Sequence, residues 1–355
     1  MKENRTLRII RQVGECLPKK GNTKFPVILT LVILLAAVFL ISVSLGRYTV
    51  PVEQILTMIV KKTFGGIKTW SDTAENIIFT IRLPRIFAAL IIGAALSVSG
   101  TAYQGLFRNP MVSPDILGAS AGACFGAAVA ILLSFNAVGV EILSFLSGLC
   151  AVALTCMLSS ALKKGVNMTL ILVLTGMVVG NLFTAFTSII KFVADPNSKL
   201  PEIIFWLMGG LGSVRKREAL MLIAPFILGS VPLIMLSWRI NVMSFGDEES
   251  LALGVDVRKV RITVILCSTL LTSSAIAVGG MIGWVGLIVP HLARMLVGPN
   301  HKVLIPVSMV IGGIFLMLVD DITRSVYTAE IPLSILTSII GAPFFIFFLL
   351  REKRL

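Results

Sequence analysis

The sequence predicts an all-α, polytopic membrane protein with about ten transmembrane helices. Hydrophobic residues make up 56% of the 355 and charged residues only 14%, and the mean hydropathy is +0.95. Apolar runs of about 18 residues or more, enough to cross the hydrocarbon core as a helix, recur from end to end. The charges gather in the short stretches between those runs. The net charge of +13 is therefore scattered between spans, which points to a lipid environment and away from a nucleic-acid partner. The five cysteines form no CxxC pair and no metal-ligand spacing. Cys124, Cys150, Cys156 and Cys267 lie in apolar runs, as small packing residues do.

Taken in order, residues 1–25 read as a cytosolic basic tail, with Lys2, Arg5, Arg8, Arg11, Lys19, Lys20 and Lys24. Residues 26–355 read as a single ten-span domain. The first run, Pro26–Leu45, exceeds the core of a signal peptide, about 7–15 residues, and is expected to stay as a span. A polar segment, Gly46–Arg85, follows, with a short helix expected over Val52–Lys62. The remaining spans are Ile86–Leu106, Ile116–Phe135, Ile142–Leu162, Met168–Lys191, Ala219–Trp238, Thr263–Val278, Ile282–Val297, Val303–Val319 and Pro332–Leu350. Ten spans put both termini on one side. The larger share of the 31 Lys and Arg residues then falls on the segments placed inside, as the positive-inside rule requires.

Small residues repeat every four positions at Gly118, Gly122 and Gly126, at Gly176 and Gly180, and at Gly279 and Gly283, a pattern that lets helices approach closely in lipid. Pro225, Pro232 and Pro290 interrupt helical runs and are expected to kink them.

The stretch Ser244–Ile262 stands apart. It sets four carboxylates and three cations between two spans. Glu248–Leu253 alternates acidic and aliphatic positions, as in a short amphipathic helix ending at Gly254, and a second short turn can follow over Val255–Val260. Such a knuckle is either a solvated loop or a docking surface for a soluble partner. The cations placed outside cluster at Arg47–Arg85 and Lys191–Arg217, with Arg324 alone. Arg82 and Arg85 either snorkel at a helix end or meet carboxylates of a partner in a two-pronged geometry. Asp320 and Asp321 can cap a helix or orient Arg324.

The spans hold almost no ionisable residue near their centres, as an ion-coupled secondary transporter would need. No phosphate-cradling loop occurs, so energy for active transport has to come from another chain. The stretch Gly118–Gly122 matches the GxSxG pattern of serine hydrolases, but it opens a membrane helix, and His291 and His301 are the only histidines available as a base. An intramembrane hydrolase built on Ser120 and His291 is the weakest alternative.

Several long motifs carry a resemblance. Arg82–Arg85 (RLPR) precedes Gly93–Ala123 (GAALSVSGTAYQGLFRNPMVSPDILGASAGA). Phe205–Val214 (FWLMGGLGSV), the knuckle with LALGVDVRKVR, Gly279–His301 (GGMIGWVGLIVPHLARMLVGPNH), Asp320–Arg324 (DDITR) and Glu330–Leu350 follow. In this order they resemble the permease subunits of bacterial ABC importers for iron–siderophores, haem and cobalamin, the FecCD family of type II importers. The resemblance covers residues 27–354; Met111–Pro114 departs from the common pattern.

The resemblance implies a non-enzymatic subunit in the bacterial cytoplasmic membrane, paired with a second copy or a paralogue. It also implies two cytosolic ATPases that bind ATP and Mg, with no cofactor in this chain, and an extracytoplasmic binding protein. Arg82, Arg85 and Arg324 would then meet glutamates of the binding protein. Gly246, Asp247, Glu248, Glu249, Leu251, Ala252, Leu253, Gly254, Val255 and Arg258 would form the coupling segment seated on the ATPase. Asn167, Met168 and Thr169 would lie at the cytosolic gate.

Overall fold

The computed structural model describes residues 24–46, 48, 50–65, 68, 70–162, 168–326 and 330–352. Among them every regular element is a helix: α1 (Lys24–Ser44), α2 (Val52–Phe64), α3 (Asp72–Leu106), α4 (Ala119–Leu132), α5 (Ala137–Ala161), α6 (Met168–Val193), α7 (Lys199–Leu207), α8 (Lys216–Met235), α9 (Ser237–Met243), α10 (Asp247–Ala252), α11 (Val257–Gly279), α12 (Val285–Val297), α13 (His301–Ser325) and α14 (Leu333–Glu352). Seven are long and apolar enough to cross a membrane, and α4, α12 and α14 are shorter apolar helices. Each of the ten expected spans falls on one of these. The short helix expected over Val52–Lys62 is α2.

Burial sorts the helices into a centre and a periphery. The most apolar windows of α3, α11 and α13 are 61%, 67% and 61% buried within the chain, against 22% for α1, 33% for α5 and 28% for α6 and α8. Between Pro84 and Leu106 all residues but Phe87 and Leu90 are buried. The peripheral helices turn aliphatic residues outward, for example Leu174, Val178 and Ile189 of α6. In lipid such faces need no cover, so association rests on close packing and on polar links between helices. Backbones meet backbones where α3 crosses its neighbours. A Cβ on Gly93 would lie 2.2 Å from the Gly312 carbonyl of α13, and one on Gly100 would lie 1.9 Å from that of Gly286 in α12. Hydroxyls link α3 to α11: Ser99 Oγ lies 3.0 Å from Thr272 Oγ1, and the Tyr103 hydroxyl 3.3 Å from Thr269 Oγ1. Two of the three expected glycine stripes pack in the same way, Gly122 and Gly126 of α4 against Leu143, Ser147 and Ala151 of α5, and Gly176 of α6 against the Ile116–Leu117 turn. The third is not a helix face, because α11 ends at Gly279 and Gly283 lies beyond it with open space at its Cβ.

Prolines leave local marks. Helix α3 contains a π turn over Ile77–Arg82 directly ahead of Pro84, and α8 loosens at Leu222, where Pro225 removes an amide donor. Pro232 and Pro290 lie inside α8 and α12. The second short turn expected over Val255–Val260 is not a separate element. It is the first part of α11, which runs unbroken from Val257 to Gly279. The side chain of Asp256 caps it by accepting from the Lys259 amide at 3.0 Å, so nothing separates the knuckle from the span.

Gly100→Ala is expected to destabilise the fold by about 1–3 kcal/mol through overpacking. It should read as a lowered Tm in detergent, whereas Gly210→Ala, with open space at its Cβ, leaves Tm unchanged.

Candidate functional site

The polar residues collect at the two ends of α3. Arg85 and Leu106 are 21 positions apart, so at ~1.5 Å per residue the ends lie about 30 Å from each other, the thickness of the hydrocarbon core.

At the first end sit Arg82, Arg85 and Arg324, only 5%, 6% and 8% exposed. The Arg85 guanidinium donates from Nε and Nη2 to Asp320 of α13 at 3.0 and 2.8 Å, and from Nη1 to Glu330 Oε1 at 2.7 Å. Arg324 donates to Asp321 Oδ1 and to the Ser42 carbonyl of α1, while the Ser42 hydroxyl donates to Asp321 Oδ2 at 2.6 Å. Among the described residues Arg82 pairs with no carboxylate. It donates to the carbonyls of Val43 (2.8 Å), Ser44 (3.1 Å) and Tyr48 at the end of α1. The three arginines therefore tie α1, α3 and α13 together. Asp321 orients Arg324, one of the two roles expected of the acidic pair. Asp320 instead serves Arg85, which lies 235 positions away in sequence.

Glu330, with 45% of its side chain exposed, brings distant motifs together here. Its Oε2 sits 2.6 Å from where a Cβ of Gly212 would be. The Gly210 amide donates to the Gly279 carbonyl at 3.0 Å, the Leu333 amide to Gly209 at 3.1 Å, and Ser334 Oγ to Met208 at 2.7 Å. The stretches Phe205–Val214, Gly279–His301 and Glu330–Leu350 thus meet around a cavity of about 540 Å³, lined by Arg85, Glu141, Glu202, Trp206, Gly212 and Glu330 among others.

The other end carries the knuckle. Gly246, with φ +131°, turns the chain into α10. Gly246 and Val255 are buried and Asp247 is half-buried; Glu248, Glu249, Leu251, Ala252, Leu253, Gly254 and Arg258 are exposed. Phe245, Leu251 and Leu253 expose 71%, 61% and 60% of their surface at a polar end of the chain. The Ser250 hydroxyl folds back on the carbonyls of Val242, at 3.1 Å, and Gly246. Asp247 turns inward, accepting from Arg261 of α11 at 2.8 Å and lying 3.8 Å from Arg108, in the loop after α3. The Lys259 amide and ammonium hold the Asp256 carboxyl below its usual range. Alongside, His301 and Asn300 join Asn241 of α9, and Arg294 Nη2 donates to Gln104 Oε1 at 2.9 Å.

Met168 and Thr169 are half-buried at the start of α6, while Asn167 lies outside the described residues. No hydrogen bond joins Ser120 to a histidine, and among the described residues no group of three His, Cys, Asp or Glu is placed to hold a metal. Asp320, Glu330, Arg108 and Arg261 carry structural roles that the sequence reading did not assign. Their signal was confined to the motifs DDITR, EIPLS, FRNP and LALGVDVRKVR, none of which marks a partner for its charge.

This layout, buried cations at one end and an exposed knuckle fused to a span at the other, coincides with a match to the FecCD transport family model over residues 34–351. The chain belongs to the FecCD transport family. It is similar to the molybdate import system permease protein MolB of Haemophilus influenzae, 42% identical over 92% of this chain and 95% of that protein. It is also similar to the cobalamin import system permease protein BtuC of Halobacterium salinarum, 40% identical over 79% of this chain and 75% of that protein. A solved structure described as an inward-facing conformation of a metal-chelate type ABC transporter superposes with a TM-score of 0.81 at 39% identity, covering 90% of this chain and 97% of its own. The FecCD chain is a multi-pass permease subunit of an ABC importer.

Asp320→Asn is expected to lower stability by about 3 kcal/mol, because it removes the buried counter-charge of Arg85 and leaves that guanidinium only half-exposed Glu330. Glu330→Gln, at a half-exposed position, should change it by less than about 1 kcal/mol. Melting curves of the purified permease in detergent distinguish the two.

Proposed function

We propose that this FecCD permease moves an iron–siderophore complex, or haem or cobalamin, across the bacterial cytoplasmic membrane, driven by ATP hydrolysis on partner ATPases. The observation that carries the reading is the knuckle: three large apolar side chains, Phe245, Leu251 and Leu253, exposed beside carboxylates at the root of an unbroken spanning helix. Apolar surface at a polar end asks for a protein partner. A push on that partner's side would tilt α11 as a rigid rod. The chain itself binds no nucleotide in this scheme; ATP and Mg sit on the ATPases, and the termini and the knuckle face the cytosol.

A second permease copy or a paralogue completes the path, with Met168 and Thr169, and Asn167 before them, at the inner gate. The extracytoplasmic binding protein docks on the end held by Arg82, Arg85 and Arg324. All three are engaged within the chain, so a partner carboxylate would reach Arg85 from the side that half-exposed Glu330 occupies.

Cargo has a second reading. A relative 42% identical over nearly its whole length is named for molybdate, which makes an oxyanion the competitor to the metal chelates. Reconstitution with the ATPase and a binding protein, followed by uptake of ferric chelates, haem, cobalamin and molybdate, separates them. Uptake driven by an ion gradient without ATP would instead establish the secondary-transporter alternative, and labelling of Ser120 by a serine-reactive probe the hydrolase.

Leu253→Asp is expected to leave Tm unchanged, since the side chain is exposed. It should abolish co-purification with the ATPase and reduce ATP-dependent uptake at least about tenfold, as loss of an apolar anchor at an interface centre does. Full ATPase retention by Leu253→Asp with intact uptake would refute the docking assignment.

A further inference from the structure

Ser120, the serine of the GASAG stretch, is 9% exposed, and its hydroxyl makes no hydrogen bond within the described residues. It faces a cavity of about 250 Å³, lined also by Ser113, Asp115, Thr272, Trp284 and Gly286. Two short helices begin at this cavity. In α4 the first backbone bond is from the Gly122 amide to Gly118, which leaves the amides of Ala119, Ser120 and Ala121 without helical partners. In α12 the first i→i−4 bond is from Ile288 to Trp284, and the Gly286 amide takes none. The positive ends of two helices thus converge on one small chamber.

We propose that this chamber is a transit site for a tetrahedral oxyanion, held by the Ser120 hydroxyl and by the unbonded amides of Ser120 and Gly286, the two residues at the starts of α4 and α12 that line it. The inference rests on the importer reading above and selects the oxyanion among its cargoes. Size agrees with the choice: 250 Å³ holds an oxyanion and a few waters of about 30 Å³ each. The Ser113 hydroxyl can donate as well, whereas the Thr272 hydroxyl already gives its proton to the Ser268 carbonyl and only shapes the wall. One group opposes an anion. Asp115 is an exposed carboxylate in the lining, and it keeps binding weak, as a site that must also release its ion requires.

The test is equilibrium binding of radiolabelled molybdate to the whole permease in nanodiscs, with unlabelled tungstate, sulfate and phosphate as competitors. Wild type is expected to bind saturably and to be competed by at least one tetrahedral oxyanion. Ser120→Ala should weaken binding about tenfold, and Asp115→Asn, a change at an exposed position that leaves folding intact, should tighten it several-fold. Absence of saturable binding, or binding that neither substitution shifts, overturns the site. The same permease assembled with its ATPase and assayed for ATP-driven ferric-chelate uptake keeps the two claims apart: chelate uptake without oxyanion binding sinks the transit site and leaves the importer standing.

Discussion

The fork between Arg85 and Asp320 is the contact on which the architecture turns. It joins two of the three central helices, α3 and α13, in a buried setting. Nε and Nη2 of Arg85 both reach Asp320, which is 1% exposed. A buried pair of this kind yields little net stability against an apolar substitute, yet breaking it is severe, because it leaves one ion stranded. The pair therefore specifies register. It fixes how far α3 slides along α13, and with it whether Gly93 meets Gly312 and Gly100 meets Gly286. Arg324 and Arg82 extend the same logic to α1 through the carbonyls of Ser42, Val43 and Ser44.

At the opposite end the constraint is mechanical. Helix α10 is too short to hold itself in water, and its position is set by Ser250 folding back on Val242 and Gly246 and by Asp247 bridging to Arg261 and Arg108. The first of those arginines belongs to α11 and the second to the loop after α3. A displacement of the exposed apolar residues is thereby delivered to two of the three central helices at once.

Much of this was legible in the sequence. Every spanning run showed itself by length and hydropathy, because lipid imposes the same demand on each segment separately. The knuckle was visible as a charge cluster, and two of the three glycine stripes as packing faces; the Gly279–Gly283 spacing instead marked the point where α11 ends. What stayed hidden depends on pairs far apart in the chain. Arg82 and Arg85 marked a span boundary at Ile86, whereas α3 begins at Asp72, since its arginines are neutralised by Asp320, Glu330 and the carbonyls of α1, and no local pattern announces partners 235 positions away. The turn expected over Val255–Val260 merged into α11 for a similar reason. Polar Arg258, Lys259 and Arg261 read as a loop, but a spanning helix can project past the membrane surface when Asp256 caps its start.

The two short helices supply the last step. Helices α4 and α12, of 14 and 13 residues, reach about 20 Å at ~1.5 Å per residue and cannot cross the hydrocarbon core alone. The stretches before them, 107–118 and 280–284, contain no regular helix. Irregular backbone at membrane depth is tolerated only where protein or water satisfies its amides and carbonyls. The first of these stretches meets the start of α12: Pro114 Cγ lies 2.2 Å from where a Cβ of Gly286 would sit, and the Gly286 carbonyl lies against Gly100 of α3. Glycine at position 286 thus lets three segments converge on one point, where the open amides of two helix starts are sheltered from lipid. A helix of full length in either place would satisfy its own backbone and leave nothing there for a polar cargo to bind.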